Sequence, residues 1–444
     1  MRRIHLILRW LFPLFAFLLP LQTRWIIRDE VVGGSVWEYG RINLYGFDVV
    51  LIVIVALIVV QKMFVVHGCR RVVATGRDLS LLAVATLFIM FEILAALDPM
   101  LTSVVLLRIG LLGMAVWYLF HTEPLLVRRT LAAFVVAMVI SSGLGVAQFI
   151  AQDDLVSSKW LGLAPQEAST LGVSVVEAAG GRWLRAHGTM PHPNVLGGFA
   201  ALAFILFLVV HAAASNVYAP TSRFIEWCRS VFIVAAPFIL IAGVITSVSR
   251  AAMIALAVSA AVFFWQRIRQ YAAVFNARSF LMVAVGIIIV LLFALPVLSV
   301  RLRGQGRLES LSFTKRAAAF TQALAAAGDH WAAGTGLGGI TVAMRARFPT
   351  LPIWDIQPVH NIPVLLVVEL GAVGILIIGI GILLFLINSE FKVQSSKLLW
   401  WNPVIGCLFV LAMLDHYLWT LAAGLYLMGI TGASLALDRG TRNS

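Results

Sequence analysis

The chain is predicted to be an all-α polytopic membrane protein with about twelve transmembrane helices, and three features carry that prediction. Its composition is 61% hydrophobic and only 12% charged, with mean hydropathy +0.97, whereas soluble domains are nearer half apolar and a quarter charged. Apolar runs of about 17 to 25 residues recur, the length a helix needs to cross roughly 30 Å of hydrocarbon. They lack the short alternating pattern of a β-barrel, and a helix satisfies its backbone polar groups within one segment.

The first run, 4–21, follows Arg2 and Arg3 and ends in LLPLQTRW with no small-residue cleavage site, so it reads as a retained helix. Further spans are predicted near 45–66, 79–97, 101–120, 131–151, 195–213, 230–247, 251–268, 280–300, 362–388, 399–415 and 418–437. Short loops holding Arg2/Arg3, Arg70/Arg71/Arg77, Arg128/Arg129, Arg223/Arg229, Arg267/Arg269/Arg278, Lys392/Lys397 and Arg439/Arg442 alternate onto one side. The positive-inside rule makes that side cytoplasmic and puts both termini there. The net charge of +13 is therefore mostly topology, spread through loops, and a nucleic-acid partner is not expected. Cys69, Cys228 and Cys407 form no CxxC or metal-ligand pattern, so neither a disulfide nor zinc is expected.

The opposite side carries tight LDPM and DHY turns and two long segments, 152–194 and 301–361. The expectation is a single membrane domain, 1–444, capped by these two periplasmic loops, with both loops partly helical. The second holds Arg301, Arg303, Arg307, Lys315, Arg316, Arg345 and Arg347 against Glu309, Asp329 and Asp355. Long loops translocate despite such charge, and the excess suits an anionic ligand. Within it, SFTKRAAAFTQALAAAGDHW reads as an Ala-rich helix opening at a Ser or Thr cap and closing at Gly328.

Arg250, between two apolar runs, would sit at the external mouth of the bundle, either snorkelling to the interface or holding an anionic partner. Arg316 belongs either to a solvated helix face or to a phosphate site, where its planar fork matches phosphate oxygens. GTGLGG supplies Gly334, Gly336, Gly338 and Gly339. Without a Lys-Ser/Thr ending or a preceding strand it is a tight turn before it is a nucleotide loop. GRWLRAHGTMPHPN crowds Arg182, Arg185, His187, His192 and Asn194 before the sixth span, a mixture suited to a headgroup or sugar. His187, His192 and His360 have no Cys or acidic residue at ligand spacing, so no metal is expected. His360, between Pro358 and Pro363 where a polar segment gives way to an apolar run, reads either as a helix cap or as a general base.

Together the external loop before the tenth span, the arginine at the mouth of the eighth, R-A-A-A-F…W-A-A-G-T-G-L-G and H-N-x-P-x-L-L-x-x-x-E-x-G resemble the O-antigen ligase superfamily. That superfamily holds lipopolysaccharide O-antigen ligases, O-antigen polymerases and some protein O-oligosaccharyltransferases, and the resemblance runs over about 185 to 390. It implies a membrane glycosyltransferase fold of GT-C type in a bacterial inner membrane. His360 would activate the acceptor, and Arg250, Arg316 and Arg185 would hold the pyrophosphate of an undecaprenyl-pyrophosphate-linked O-antigen. His187, Asn194, Gly336 and Gly338 would make further substrate contacts. It further implies inverting transfer without a cofactor or metal, onto lipid A-core oligosaccharide for a ligase or a second carrier-linked glycan for a polymerase. The chain ends seven residues after its last predicted span, short of the C-terminal region usual in the protein oligosaccharyltransferases. That leaves ligase or polymerase, and the basic external loop favours ligase. A flippase of lipid-linked sugar is the alternative from another class, resting on Glu92, Arg108 and Glu369 within spans.

Overall fold

The computed structural model describes residues 2–66, 76–158, 160–163, 165–170, 172–178, 181–212, 223–270, 307–388 and 402–436, with isolated positions between 288 and 299. These residues are mostly helical. Helix α1 spans Arg2–Leu18, α2 Gly46–Val66, α3 Gly76–Ala95, α4 Pro99–Phe120, α5 Pro124–Ala151, α6 Pro193–Ala212, α7 Arg223–Ser247 and α8 Arg250–Gln270. Helix α9 spans Arg307–Gly328, α10 Ile340–Arg347, α11 Ile362–Asn388, α12 Pro403–Leu414, α13 Tyr417–Thr420 and α14 Ala422–Gly432. Predicted spans coincide with these helices except 280–300, which lies outside the described residues apart from isolated positions. The last predicted span is broken into α13, α14 and a final turn.

Six of the described helices, α2, α4, α5, α6, α7 and α11, are long and apolar enough to cross a membrane. Shorter apolar stretches lie in α3, α8, α12 and α14. Helix α1 carries His5 and Arg9 in its first half, and Arg9 pairs with Glu123 at 2.6 Å. Local sequence sets several helix starts. Asp98 accepts from Leu101 N at 3.0 Å ahead of Pro99, and Asn402 accepts from Val404 N at 2.9 Å ahead of Pro403. Each pairs an N-cap oxygen with a proline in the first turn, where no N–H is missed.

The main core is the fully buried seam of α1, α5 and α6, with Phe12, Phe15, Phe134, Phe149 and Phe199, extended through Tyr426 of α14. A second, smaller core of Trp37, Ala323, Ile340, Met344, Ile353 and Val359 with Leu365 and Val368 joins the segment after α1 to α9, α10 and the start of α11. That second core builds a cap over one end of the bundle.

The cap departs from the expectation in three ways. Residues 152–194, expected to be partly helical, carry no helix before Pro193 among the described positions; β5 (Val175–Ala178) and β6 (Gly181–Leu184) form a hairpin instead. Their β-branched and aromatic residues, V-V and W-L, suit a half-covered pleat. Between α1 and α2, β1 (Arg24–Arg28) pairs antiparallel with β4 (Ile42–Tyr45), and β2 (Val31–Val32) with β3 (Ser35–Val36). Helix α9 starts at Arg307, upstream of Ser312 and Thr314, because L-E-S-L continues the helix; it ends at Gly328 as expected.

Helix α11 is broken at Gly371, whose φ of 61° and ψ of −178° lie outside helical space. The glycine-rich turn supplies the partners that the break removes. Thr335 N and Gly336 N donate to Val368 O and Glu369 O at 3.3 and 3.0 Å, and Ala372 N and Val373 N donate to Trp331 O and Ala332 O at 3.0 Å each. A Cβ on Gly334 would lie 2.2 Å from Glu369 O, and one on Gly371 2.2 Å from Gly334 N. Only glycine fits there, on steric grounds and because φ is positive at both.

Candidate active site

Asn361, not His360, caps α11. Its Oδ1 accepts from Val364 N at 3.0 Å, and its Nδ2 donates to Met413 O at 3.0 Å near the end of α12. The cap therefore ties the start of α11 to the α12–α13 turn and leaves the imidazole of His360 to face that turn. The His360 and His416 rings meet edge-on with centroids 4.8 Å apart, and His360 Nδ1 is buried without a hydrogen bond.

Asp415, 3% exposed, anchors a chain of contacts behind His360. It accepts from His416 N at 2.9 Å and from Asn194 Nδ2 at 3.1 Å. Asn194 Oδ1 in turn accepts from Arg185 Nη2 at 2.7 Å, and Arg185 Nε donates to Ser247 O at 2.8 Å. Arg185 thus clamps the turn from α7 into α8. Val248 occupies that turn, fully buried at φ 53°, a left-handed conformation costly for a β-branched residue. Arg250 follows immediately, its guanidinium over the Phe313 ring of α9 at 4.2 Å. Arg316 lies three positions further along α9, one turn on and on the same face. It is close enough to act electrostatically on His360, Asp415 and His416.

The electrostatics divide the roles. Burial dominates at His360 and, with His416 and Arg316, outweighs the raising effect of Asp415, so its pKa falls to about 3. Burial pushes the Asp415 carboxyl up, but His416, His360 and Arg316 together hold it below the usual carboxylate range. At neutral pH the pair is therefore a free imidazole beside a carboxylate. His187 is 5% exposed, 3.5 Å from Asp154 Oδ1, and burial lowers its pKa to about 4.

His187, His192, Asn194, His360, Glu369, Asp415 and His416 line one part of the wall of a cavity of about 690 Å³, to which Arg185, Arg250 and Arg316 do not contribute. Gly338 also lines it, whereas Gly336 packs against Ala96 and Thr102. Glu369 has a partner: Trp419 Nε1 donates to its Oε2 at 2.8 Å. Residues 235–379 match the family model described as O-antigen ligase. The domain is that of the O-antigen ligase superfamily. Neither the curated proteins nor the solved structures give a match.

The O-antigen ligase domain contains Arg250, Arg316, Gly336, Gly338 and His360, while Arg185, His187, Asn194, Asp415 and His416 come from chain on either side of it. The structure thus sets His360 and Asn194 at the Asp415–His416 turn with Arg316 in electrostatic reach, ties Arg185 from Asn194 to the separate α7–α8 turn, puts Arg250 over Phe313, and places Gly336 at a packing contact. Asp415 and His416 were read from sequence only as a tight turn; an ionisable pair between two apolar runs was the signal. Among the described residues, His360, Asp415 and His416 also have the spacing to hold a metal ion, offering one ligand atom each within 4.8 Å of one another. His187 and His192 lie outside that trio. His192 Nδ1 accepts from Asn194 N at 3.1 Å and its Nε2 meets Ser174 Oγ at 2.9 Å.

Proposed function

We propose that this member of the ligase/polymerase superfamily is an O-antigen ligase. It transfers a glycan from an undecaprenyl-pyrophosphate carrier to a hydroxyl of lipid A-core oligosaccharide at the periplasmic face of a bacterial inner membrane, with both termini cytoplasmic. The observation that carries this reading is the neutral His360, set beside the ionised Asp415 at a large cavity, with Arg316 within electrostatic reach and Arg250 over the ring of Phe313, a residue one helical turn before Arg316 on α9.

The acceptor oxygen attacks the anomeric carbon as its proton passes to His360, and the carbon–oxygen bond to the pyrophosphate breaks on the opposite face, inverting the centre. Asp415 stabilises the imidazolium that forms. Arg250 and Arg316 hold the donor's charge and receive the leaving pyrophosphate as fixed positive groups. Arg185 positions rather than binds, because its donors serve Ser247 O and Asn194 Oδ1. A transport path for lipid-linked sugar is disfavoured because two of its candidate charges have structural partners: Arg108 holds Asp48 at 2.9 Å and Glu369 holds Trp419.

The test uses purified protein in vesicles with the carrier-linked glycan and either lipid A-core or a second carrier-linked glycan. Transfer to lipid A-core that disappears in folded His360→Ala is expected. Exclusive use of the carrier-linked acceptor would make the chain a polymerase, and full activity of His360→Ala would remove the base.

A further inference from the structure

Part of the cavity wall takes no share in the chemistry proposed above. Arg24 of β1, Glu38 and Tyr39 of the single helical turn before β4, then Arg41 and Asn43, all line the cavity. This wall meets the site where the Tyr39 ring packs edge-on against His416 at 6.2 Å. Its arginines are already neutralised. Both terminal nitrogens of Arg24 donate to Glu38; Arg41 Nε donates to Asp29 at 2.6 Å and its Nη1 to Glu38 at 3.4 Å. Two guanidiniums against two carboxylates make a poor phosphate site. Locked together, they present donors and acceptors at fixed spacing, which is what neighbouring sugar hydroxyls require.

Among the polar groups on the same cavity that lack a partner are Asn43 and Thr341. Asn43 is 8% exposed and its Oδ1 makes no hydrogen bond; Thr341 is 1% exposed and its Oγ1 makes none. Buried polar atoms are nearly always satisfied, so such orphans facing a cavity are where a ligand's hydrogen bonds belong. The backbone beneath Asn43 is held, since its carbonyl accepts from Arg108 Nη2 at 2.6 Å and its strand pairs with β1.

We propose that Arg24, Glu38, Tyr39, Arg41 and Asn43 form the subsite for an uncharged sugar of the acceptor saccharide. It places the acceptor hydroxyl at His360 while Arg250 and Arg316 hold the donor. This rests on the glycan-transfer reading and adds which wall selects the acceptor.

The experiment compares Asn43→Ala and Glu38→Gln with the wild-type chain in vesicles, varying each substrate in turn. The acceptor KM should rise about tenfold for each folded variant, the loss of one or two hydrogen bonds, while the donor KM and kcat stay within about twofold. A raised donor KM with unchanged acceptor KM would assign the wall to the donor's glycan, and no change in either would remove the subsite; both overturn the proposal. Binding of delipidated core oligosaccharide needs no turnover, so it separates failure of the subsite from failure of the ligase reading. Asn43→Ala should bind it about tenfold more weakly, and phosphatase treatment of the oligosaccharide should leave wild-type binding within about threefold. Equal binding by the variant, or loss of binding on phosphate removal, contradicts recognition of an uncharged sugar here.

Discussion

Asp415→Asn removes the charge behind His360 with little change of volume. If His360 takes the acceptor's proton as proposed, the carboxylate then faces an imidazolium at a ligand-atom distance within 4.8 Å. At that separation and an effective dielectric near 20, the attraction is worth about 3 kcal/mol, or roughly a hundredfold in rate. Arg316 acts on the same groups and opposes it. The net loss in kcat is therefore expected between about tenfold and a hundredfold. A second readout separates this from simple misfolding. Asp415 raises the pKa of His360, so its loss lowers that pKa further and moves the acid limb of the pH–rate profile to lower pH. The assay is glycan transfer in vesicles across pH, with thermal unfolding as the control for folding. A folded variant with kcat within about threefold of wild type and an unmoved acid limb would refute the pairing.

Arg250→Ala and Arg316→Ala should each raise the donor KM with little effect on acceptor KM; unchanged donor affinity in both variants argues against pyrophosphate binding there. Gly371→Ala places a Cβ 2.2 Å from Gly334 N at positive φ and is expected to destabilise the protein by about 2 kcal/mol or more, read as a lowered midpoint in thermal unfolding. A midpoint equal to wild type would contradict the tight docking of the turn. Transfer should persist in excess chelator; a complete loss reversed by added divalent ion would turn His360, Asp415 and His416 into metal ligands.

The helices were legible because bilayer-length apolar runs admit few other readings, and His360 stood out as a candidate because a titratable ring between prolines borders such a run. The partners of His360 were not. Asp415 and His416 belong to a turn far along the chain, and nothing local to either segment announces that Asn361 will join them. The β1–β4 sheet escaped notice because RWIIR and INLY are short strands among charges, too brief for periodicity to speak. The break in α11 was invisible for another reason. ELGAVG sits inside a continuous apolar run, and the hydrogen bonds that make the break tolerable come from a turn more than thirty residues upstream.

That break also bears on how substrates arrive. Four main-chain hydrogen bonds stitch the glycine-rich turn to residues 368–373 of α11, on both sides of the break at Gly371. Lifting the turn would strand those groups beside an apolar span, at a cost of roughly 2 kcal/mol or more for each. The turn is therefore no door. For the glycan transfer proposed above, the donor would then have to reach His360 past a roof that stays in place, by a route other than the lifting of this turn.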